Sequence, residues 1–268
     1  MTRRAIIGLA LVAIASATPE AARAQTLADR VERVRDGTVR LSFALKPGVC
    51  GYGNTIIHSR DSRTTWGDAD SRRSRDLEWD RECDEGPGRL VLDVRDREVT
   101  GLRFYVGGRW RPAGDDVTDM GTVRARDAAD LLLTLAERGN GRAAREAVFP
   151  ATLVDSVTIW PALLRLAKNE TRPKETRSQA VFWLGQAAGE AATAELSGLV
   201  SDDRVDREVR KQAVFALSQR PREEGVPALV RVARTHRDPE IRKQALFWLG
   251  QSGDPRAIAL FEELLTRR

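Results

Sequence analysis

Apolar side chains recur at every second position through much of the first half of the chain and at every third or fourth position through the second half, so the sequence changes its structural period once. Val39, Leu41, Phe43 and Leu45 alternate with polar or small residues, as strand residues with one buried face do. Leu90, Leu92 and Val94 alternate in the same way before Asp96-Arg97, and Leu102, Phe104 and Val106 resume it afterwards. These two runs predict an antiparallel hairpin that ends at Gly107-Gly108. Residues 59–82 are almost wholly polar around Trp66 and Trp79, which predicts a loop.

Pro, Gly and Asp dominate around residues 110–124, and a helical period then takes over, marking a boundary. Ala128, Leu131, Leu132 and Leu135 share one helical face, closed by Gly139 and Gly141. A second helix is predicted from Arg142 to Phe149, stopped near Pro150, and a third from Val157 to Lys168 with Leu163, Leu164 and Ala167 inward. Three near-copies of one decamer follow: RSQAVFWLGQ from Arg177, RKQAVFALSQ from Arg210 and RKQALFWLGQ from Arg242, spaced 33 and 32 residues apart. A fixed period of this size with helical patterning is the mark of stacked helical hairpins, because one hairpin cannot bury its apolar face alone. In the last segment, Pro255 to Arg267, Ile258, Phe261, Leu264 and Leu265 form one stripe, as an inward face of a terminal cap would. The fold class expected is α+β in two parts, a small β-rich domain over residues 25–122 and an α-solenoid over residues 123–268.

The decamers carry the pattern Val/Ile-Arg-x-x-Ala-x-x-x-Leu-Gly, as Val209-Arg210, Ala213 and Leu217-Ser218, and as Ile241-Arg242, Ala245 and Leu249-Gly250. The first copy departs from it with Thr176 before Arg177. This resembles the HEAT-repeat superfamily, in particular the short HEAT-like repeats of phycobilisome lyases. The front half, with Lys46-Pro47-Gly48-Val49-Cys50-Gly51 and Tyr105-Val106-Gly107-Gly108-Arg109-Trp110, is similar to exported bacterial HEAT-repeat proteins of uncharacterised role. The resemblance implies a fold of α-α superhelix type; HEAT arrays serve as scaffolds, transport receptors and a few enzymes.

Wound at helical pitch, Val209, Ala213, Ala216 and Leu217 share one arc facing the partner helix, and Ala180, Ala213 and Ala245 allow close approach. Phe215 lies nearly opposite, flanked by Gln212 and Gln219; Phe182 with Gln179 and Gln186, and Phe247 with Gln244 and Gln251, are its equivalents. Stacked repeats would align these into a ladder of rings edged by amides: Phe182, Gln186, Phe215, Gln219, Phe247 and Gln251 are candidate binding residues for a protein or peptide. The other reading buries each Phe between adjacent repeats. Trp183 and Trp248 are expected to pack. Arg177, Arg210 and Arg242 are expected to bond acids or carbonyls in the adjoining turns, with Asp202, Asp203 and Asp238 as partners, rather than to hold an anion.

Thr2-Arg3-Arg4 followed by an apolar run to about Ala17 and then Ala22-Arg23-Ala24 reads as a signal peptide over residues 1–24, cleaved after Ala24. The expected product is periplasmic or secreted, with no membrane span after signal cleavage. Its Cys50 and Cys83, the two cysteines of the chain, are expected to form a disulfide in that oxidising compartment. The net charge of +5 falls to +3 without the leader, and Arg alternates with acids along most segments. Nucleic-acid binders concentrate positive charge, so no nucleic-acid partner is expected. His58 and His236 stand alone, no Gly-x-Ser-x-Gly or phosphate loop occurs, and Asp68-x-Asp70 lacks the remaining ligands of a calcium loop. No catalytic residues, metal or cofactor are therefore expected. The expectation is a non-enzymatic interaction module or scaffold in the cell envelope. An enzyme accessory of the lyase kind is the alternative, and a third reading has the β-rich part bind a small molecule or glycan through Trp66, Trp79 or Trp110.

Overall fold

A computed structural model describes residues 25–53, 55–58, 65–66, 75–80, 83–139, 141–186 and 190–266; for Ile57, His58, Thr65, Trp66 and Glu190 it describes the backbone alone. The leader, the Asp68-x-Asp70 pair and the Trp66 ring lie outside the described residues. After a short helix α1 (Leu27–Glu32) comes β1 (Gly37–Phe43), whose Val39, Leu41 and Phe43 are completely buried. That burial requires β1 to be central, and it is: the four-stranded sheet runs β7-β6-β1-β9, with β6 (Gly88–Arg95), β7 (Glu98–Val106) and β9 (Val117–Thr122). The predicted hairpin is β6–β7, antiparallel with Leu90 opposite Phe104 and Leu92 opposite Leu102. Its turn takes Asp96 and Arg97 at φ 49° and 67°, the left-handed geometry that matches strand twist. Two hydrogen bonds hold it there: Asp96 N–H donates to Asp36 Oδ1 (3.1 Å) and Arg97 N–H to Arg35 O (2.9 Å).

The region 110–124, expected to mark a boundary, contains a strand the sequence pattern did not predict, β9, which lies parallel to β1 from Thr38↔Val117 onward. It escapes the period-two pattern because it is an edge strand with only Val117 and Met120 half-buried. The polar stretch 59–82, expected as a loop, contains β4 (Thr65–Trp66), paired with β3 (Thr55–His58), and β5 (Leu77–Glu78), paired with β8 (Arg109–Trp110). Leu77 is the apolar residue that anchors β5, 1% exposed against Val91 and Tyr105. Strand β2 (Val49–Tyr52) pairs with β3 and is tied on by the Cys50–Cys83 disulfide, Cα–Cα 5.1 Å. Gly51 and Asp84 exchange both backbone hydrogen bonds at 3.1 Å beside it.

The helices are α2 (Ala125–Arg138), α3 (Gly141–Glu146), α4 (Val148–Leu153), α5 (Trp160–Lys168), α6 (Lys174–Gln186), α7 (Glu190–Ser201), α8 (Arg207–Ser218), α9 (Arg222–Thr235), α10 (Pro239–Ser252) and α11 (Pro255–Thr266). Pro150 does not stop a helix as predicted; it sits in the first turn of α4, where its missing N–H is not needed. The decamers form α6, α8 and α10, and these pack in succession, α6 on α8 and α8 on α10, while α7 packs on α9 and α9 on α11. The chain is thus an α+β protein with a β-containing front and a run of paired helices behind it. One hydrophobic core continues through both, from Val39 and Leu90 in the sheet through Leu131 and Leu166 to Leu217 and Leu249. The seam is also hydrogen bonded: Leu45 bridges Val154, Lys46 N–H donates to Leu153 O (2.9 Å), and Lys46 Nζ to Thr152 O (2.7 Å).

The last helix departs from its expected role. Of the stripe Ile258, Phe261, Leu264 and Leu265, only Phe261 is half-buried; the others are 55%, 39% and 85% exposed, while Ala257 and Leu260 face the core. The apolar positions cover more of the helix circumference than one packing face can hide, so the terminal helix is not a polar cap.

Candidate functional site

The decamer helices start where acids sit. Asp206 and Asp238 precede α8 and α10, and Glu208 and Glu240 lie in the first turns, near the positive end of each helix dipole. Asp238 accepts the Glu240 N–H at 3.0 Å and the Arg207 guanidinium at 2.8 Å, which together hold its carboxyl below the usual range despite desolvation pushing the other way. Arg177 and Arg210 are buried, 6% and 8% exposed. Arg177 pairs with Asp206 of the following hairpin, and Arg210 donates to Asp203 at 3.1 Å with Asp238 at 3.9 Å. Arg242 donates to the carbonyls of His236 (2.8 Å) and Arg237 (3.0 Å). Asp202, expected among these partners, bonds Arg204 instead. The three arginines therefore stitch helix starts together and present no open anion cradle.

On the decamers, Val209, Ala213, Ala216 and Leu217 are buried, leaving the opposite side to the rings. Phe182 and Phe215 are half-buried and stack across hairpins at 6.4 Å between centroids with 13° between planes. Phe149 stacks on Trp183 (5.0 Å), Trp183 meets Phe182 edge-on, Phe215 meets Trp248 (4.9 Å), and Trp248 meets Phe247 (5.0 Å). A row of rings thus runs from Phe149 to Phe247, which is 54% exposed. For Phe182 and Phe215 the two readings meet in one geometry, since each ring gives one side to the following hairpin and keeps part of its area in water, whereas Phe247 meets Trp248 of its own helix. Gln186, Gln219 and Gln251, one turn further along each helix, are exposed. Gln179 Oε1 and Trp248 Nε1 are buried with no hydrogen-bond partner among the described residues.

The other named residues are structural. His236 accepts the Asp238 N–H at Nδ1 (3.0 Å), which leaves Nε2 to donate to Val200 O (3.0 Å). Trp79 donates to Val106 O (2.9 Å) and packs on Tyr105. Trp110 donates to Ser42 Oγ (3.2 Å) under the guanidinium groups of Arg40 and Arg89, 5.1 and 5.0 Å from its centroid. Both tryptophans are half-buried, and Trp110 lines a cleft on the main sheet. Sequence reasoning missed this cleft of about 1050 Å³ on the outer face of the main sheet, floored by Thr38, Arg40, Val91, Asp93 and Arg103. The signal for it was in the polar half of each strand alternation. The two arginines of its floor are engaged within the fold, Arg40 with Asp119 (2.8 Å) and Arg103 with Asp76 (2.9 Å) and Asp93. Among the described residues no group of three or more His, Cys, Asp or Glu could hold a metal ion, and no helix is long and apolar enough to cross a membrane.

Residues 203–268 match the family profile described as HEAT repeats, a span that contains the decamers at Arg210 and Arg242. No curated protein matches the chain. HEAT repeats are as a class protein-interaction arrays, built by stacking hairpins so that equivalent side chains line up. Residues 203–268 are thus similar to HEAT repeats, which supports the resemblance to the HEAT-repeat superfamily.

Proposed function

We propose that residues 123–268 form an α-solenoid and that the chain is a non-enzymatic interaction module of the cell envelope, taking a protein or peptide along the inner face of α6, α8 and α10. The observation that carries this is the aligned row of partly exposed rings, Phe182, Phe215 and Phe247, each followed one turn later by an exposed amide, Gln186, Gln219 or Gln251. Rings supply contact area at low entropy cost, and amides pair with the backbone groups of an extended partner. The leader ending at Ala24 and the Cys50–Cys83 disulfide support an exported, oxidised product. The lyase-like alternative draws on the family resemblance alone.

The full chain, immobilised and exposed to envelope extract, is expected to retain a protein that is lost from two variants. One carries Gln186→Ala, Gln219→Ala and Gln251→Ala; the other carries Phe182→Ala, Phe215→Ala and Phe247→Ala. Circular dichroism checks the fold of each. The glutamine variant matters most, because its side chains are exposed and should not be needed for folding. Equal retention by the native protein and a folded glutamine variant would overturn the inner-face reading. Intact-mass analysis of the exported protein is expected to find Gln25 as the first residue.

A further inference from the structure

The outer face of the last hairpin is built like an interior one. Arg177, Val181 and Leu184 of α6 are buried, as are Arg210, Val214 and Leu217 of α8, while the ring-side neighbours Ser178, Phe182, Lys211 and Phe215 are half-buried. At the same positions of α10, Arg242 and Leu246 are only half-buried, and Lys243 and Phe247 are exposed. Leu249 stays buried like Leu184 and Leu217, while the other four positions are each more exposed on α10, because the next hairpin covers α6 and α8 and nothing among the described residues covers α10. The same holds on α11. With an offset of 32 residues, Ile258, Leu264 and Leu265 stand where α9 has Val226, Val232 and Ala233, all buried in α9 and all exposed in α11.

A glycine makes the point at closest range. A methyl group on Gly185 would lie 2.8 Å from the Ala216 Cβ of the following hairpin, so that glycine admits a helix backbone. Gly250 is its equivalent, and a methyl there would meet only the Phe261 ring at 3.9 Å. The hairpin α10–α11 carries the close-approach residue and the apolar stripe, and no helix among the described residues rests on them.

The geometry points to a second copy of this chain as the occupant, its α10 and α11 packed tail to tail on these. Three observations favour that partner. The row of rings ends on the exposed Phe247, and the decamer already stacks on its own likeness, Phe182 on Phe215, so a second copy extends a contact the fold uses. Lys243 and Glu262 are exposed on the two helices, with opposite charges that a two-fold axis can bring together. The other end of the array is closed, since α4 packs on α6 and Phe149 stacks on Trp183. A second copy therefore has only the tail to offer, and the contact closes as an isologous pair and does not propagate.

Sedimentation velocity and light scattering on the purified full chain over a wide concentration range test this. Twice the chain mass is expected, dissociating on dilution. Ile258→Lys with Leu265→Lys places charge on the exposed stripe, and Gly250→Arg, read separately, fills the space left for the neighbouring helix. Each is expected to raise the dissociation constant by about tenfold or more while leaving the circular dichroism spectrum unchanged. A monomer at every concentration, a dimer indifferent to both variants, or growth beyond two copies would each overturn the proposal. Phe247 belongs to both readings, so the tail variants are confined to Ile258, Leu265 and Gly250 and leave all six ring and amide residues of the inner face unaltered; a glutamine variant that still dimerises but loses its partner, or a tail variant that is monomeric but keeps it, tells the two readings apart.

Discussion

Gly185 and Gly198 lie inside consecutive helices and differ only in what stands opposite them. A Cβ at Gly185 would press on Ala216 at 2.8 Å, whereas one at Gly198 would meet nothing within 4 Å. Gly185→Ala should therefore cost about 1–3 kcal/mol through overpacking. Gly198→Ala should stabilise by about 0.5–1 kcal/mol, because helical glycine carries an entropic penalty. Urea unfolding of the two variants checks both signs. Asp254 gives a second residue-scale prediction. Its carboxylate receives the Arg256 guanidinium and backbone N–H, at 2.8 and 2.9 Å, and its pKa falls from 3.8 to about 2. A carboxyl whose folded pKa lies below its unfolded one stabilises the protein above the unfolded value and loses that contribution as pH falls through the folded one. The native protein should exceed Asp254→Asn in urea midpoint by a constant margin above about pH 5, and the margin should shrink between pH 4 and 2. At this scale the sequence was legible wherever a residue recurred three times. Ala180, Ala213 and Ala245 could be placed in the core from spacing alone, and all three are completely buried. The environment of the phenylalanines could not be read, because stacking between hairpins and contact with a partner both favour the same residue at the same position.

Elements were readable in proportion to the apolar pattern they carry. The β6–β7 hairpin and the decamer helices follow a strict period and lie where the sequence puts them. Helix α1 has only Leu27 and Val31 to bury in six residues, and β9 has two half-buried side chains, so neither stands out from the polar background. Short strands β5 and β8 have two residues each and exist through tertiary contact, above all Leu77 against Tyr105. The disulfide acts at this scale, since it clamps β2 and the segment at Asp84 that runs beside it. For a separation of 33 residues, closing the unfolded chain is worth about 3.7 kcal/mol on the chain-entropy estimate. Cys50→Ala with Cys83→Ala should lose about that much in denaturant unfolding. The native protein, alkylated under denaturing and non-reducing conditions, should take up no label.

At the scale of the molecule, the boundary expected near residue 122 divides composition without dividing the core. Buried residues continue from Leu92 in the sheet through Leu132 in α2 to Leu184 in α6, and the Leu45–Val154 bridge crosses the same seam. Composition reports which residues are exposed, and the switch from strand to helix changes that without changing what lies beneath. A single calorimetric transition, coincident with the loss of near-ultraviolet and far-ultraviolet dichroism, is therefore expected of the oxidised protein. Two separate transitions would mean that sheet and helices unfold independently despite the shared interior.

The place of β1 in the sheet has a temporal consequence. Among the described strands it is the first in chain order, yet both of its edges await partners far downstream, β6 on one side and β9 on the other. Hairpins such as α8–α9 pair as soon as they are made, whereas β1 must be kept from mispairing until residues 117–122 have been synthesised. Any delay in delivering that stretch, by a rare-codon cluster or a stalled passage through a pore, leaves a bare hydrophobic ribbon for holdase chaperones or proteases to find.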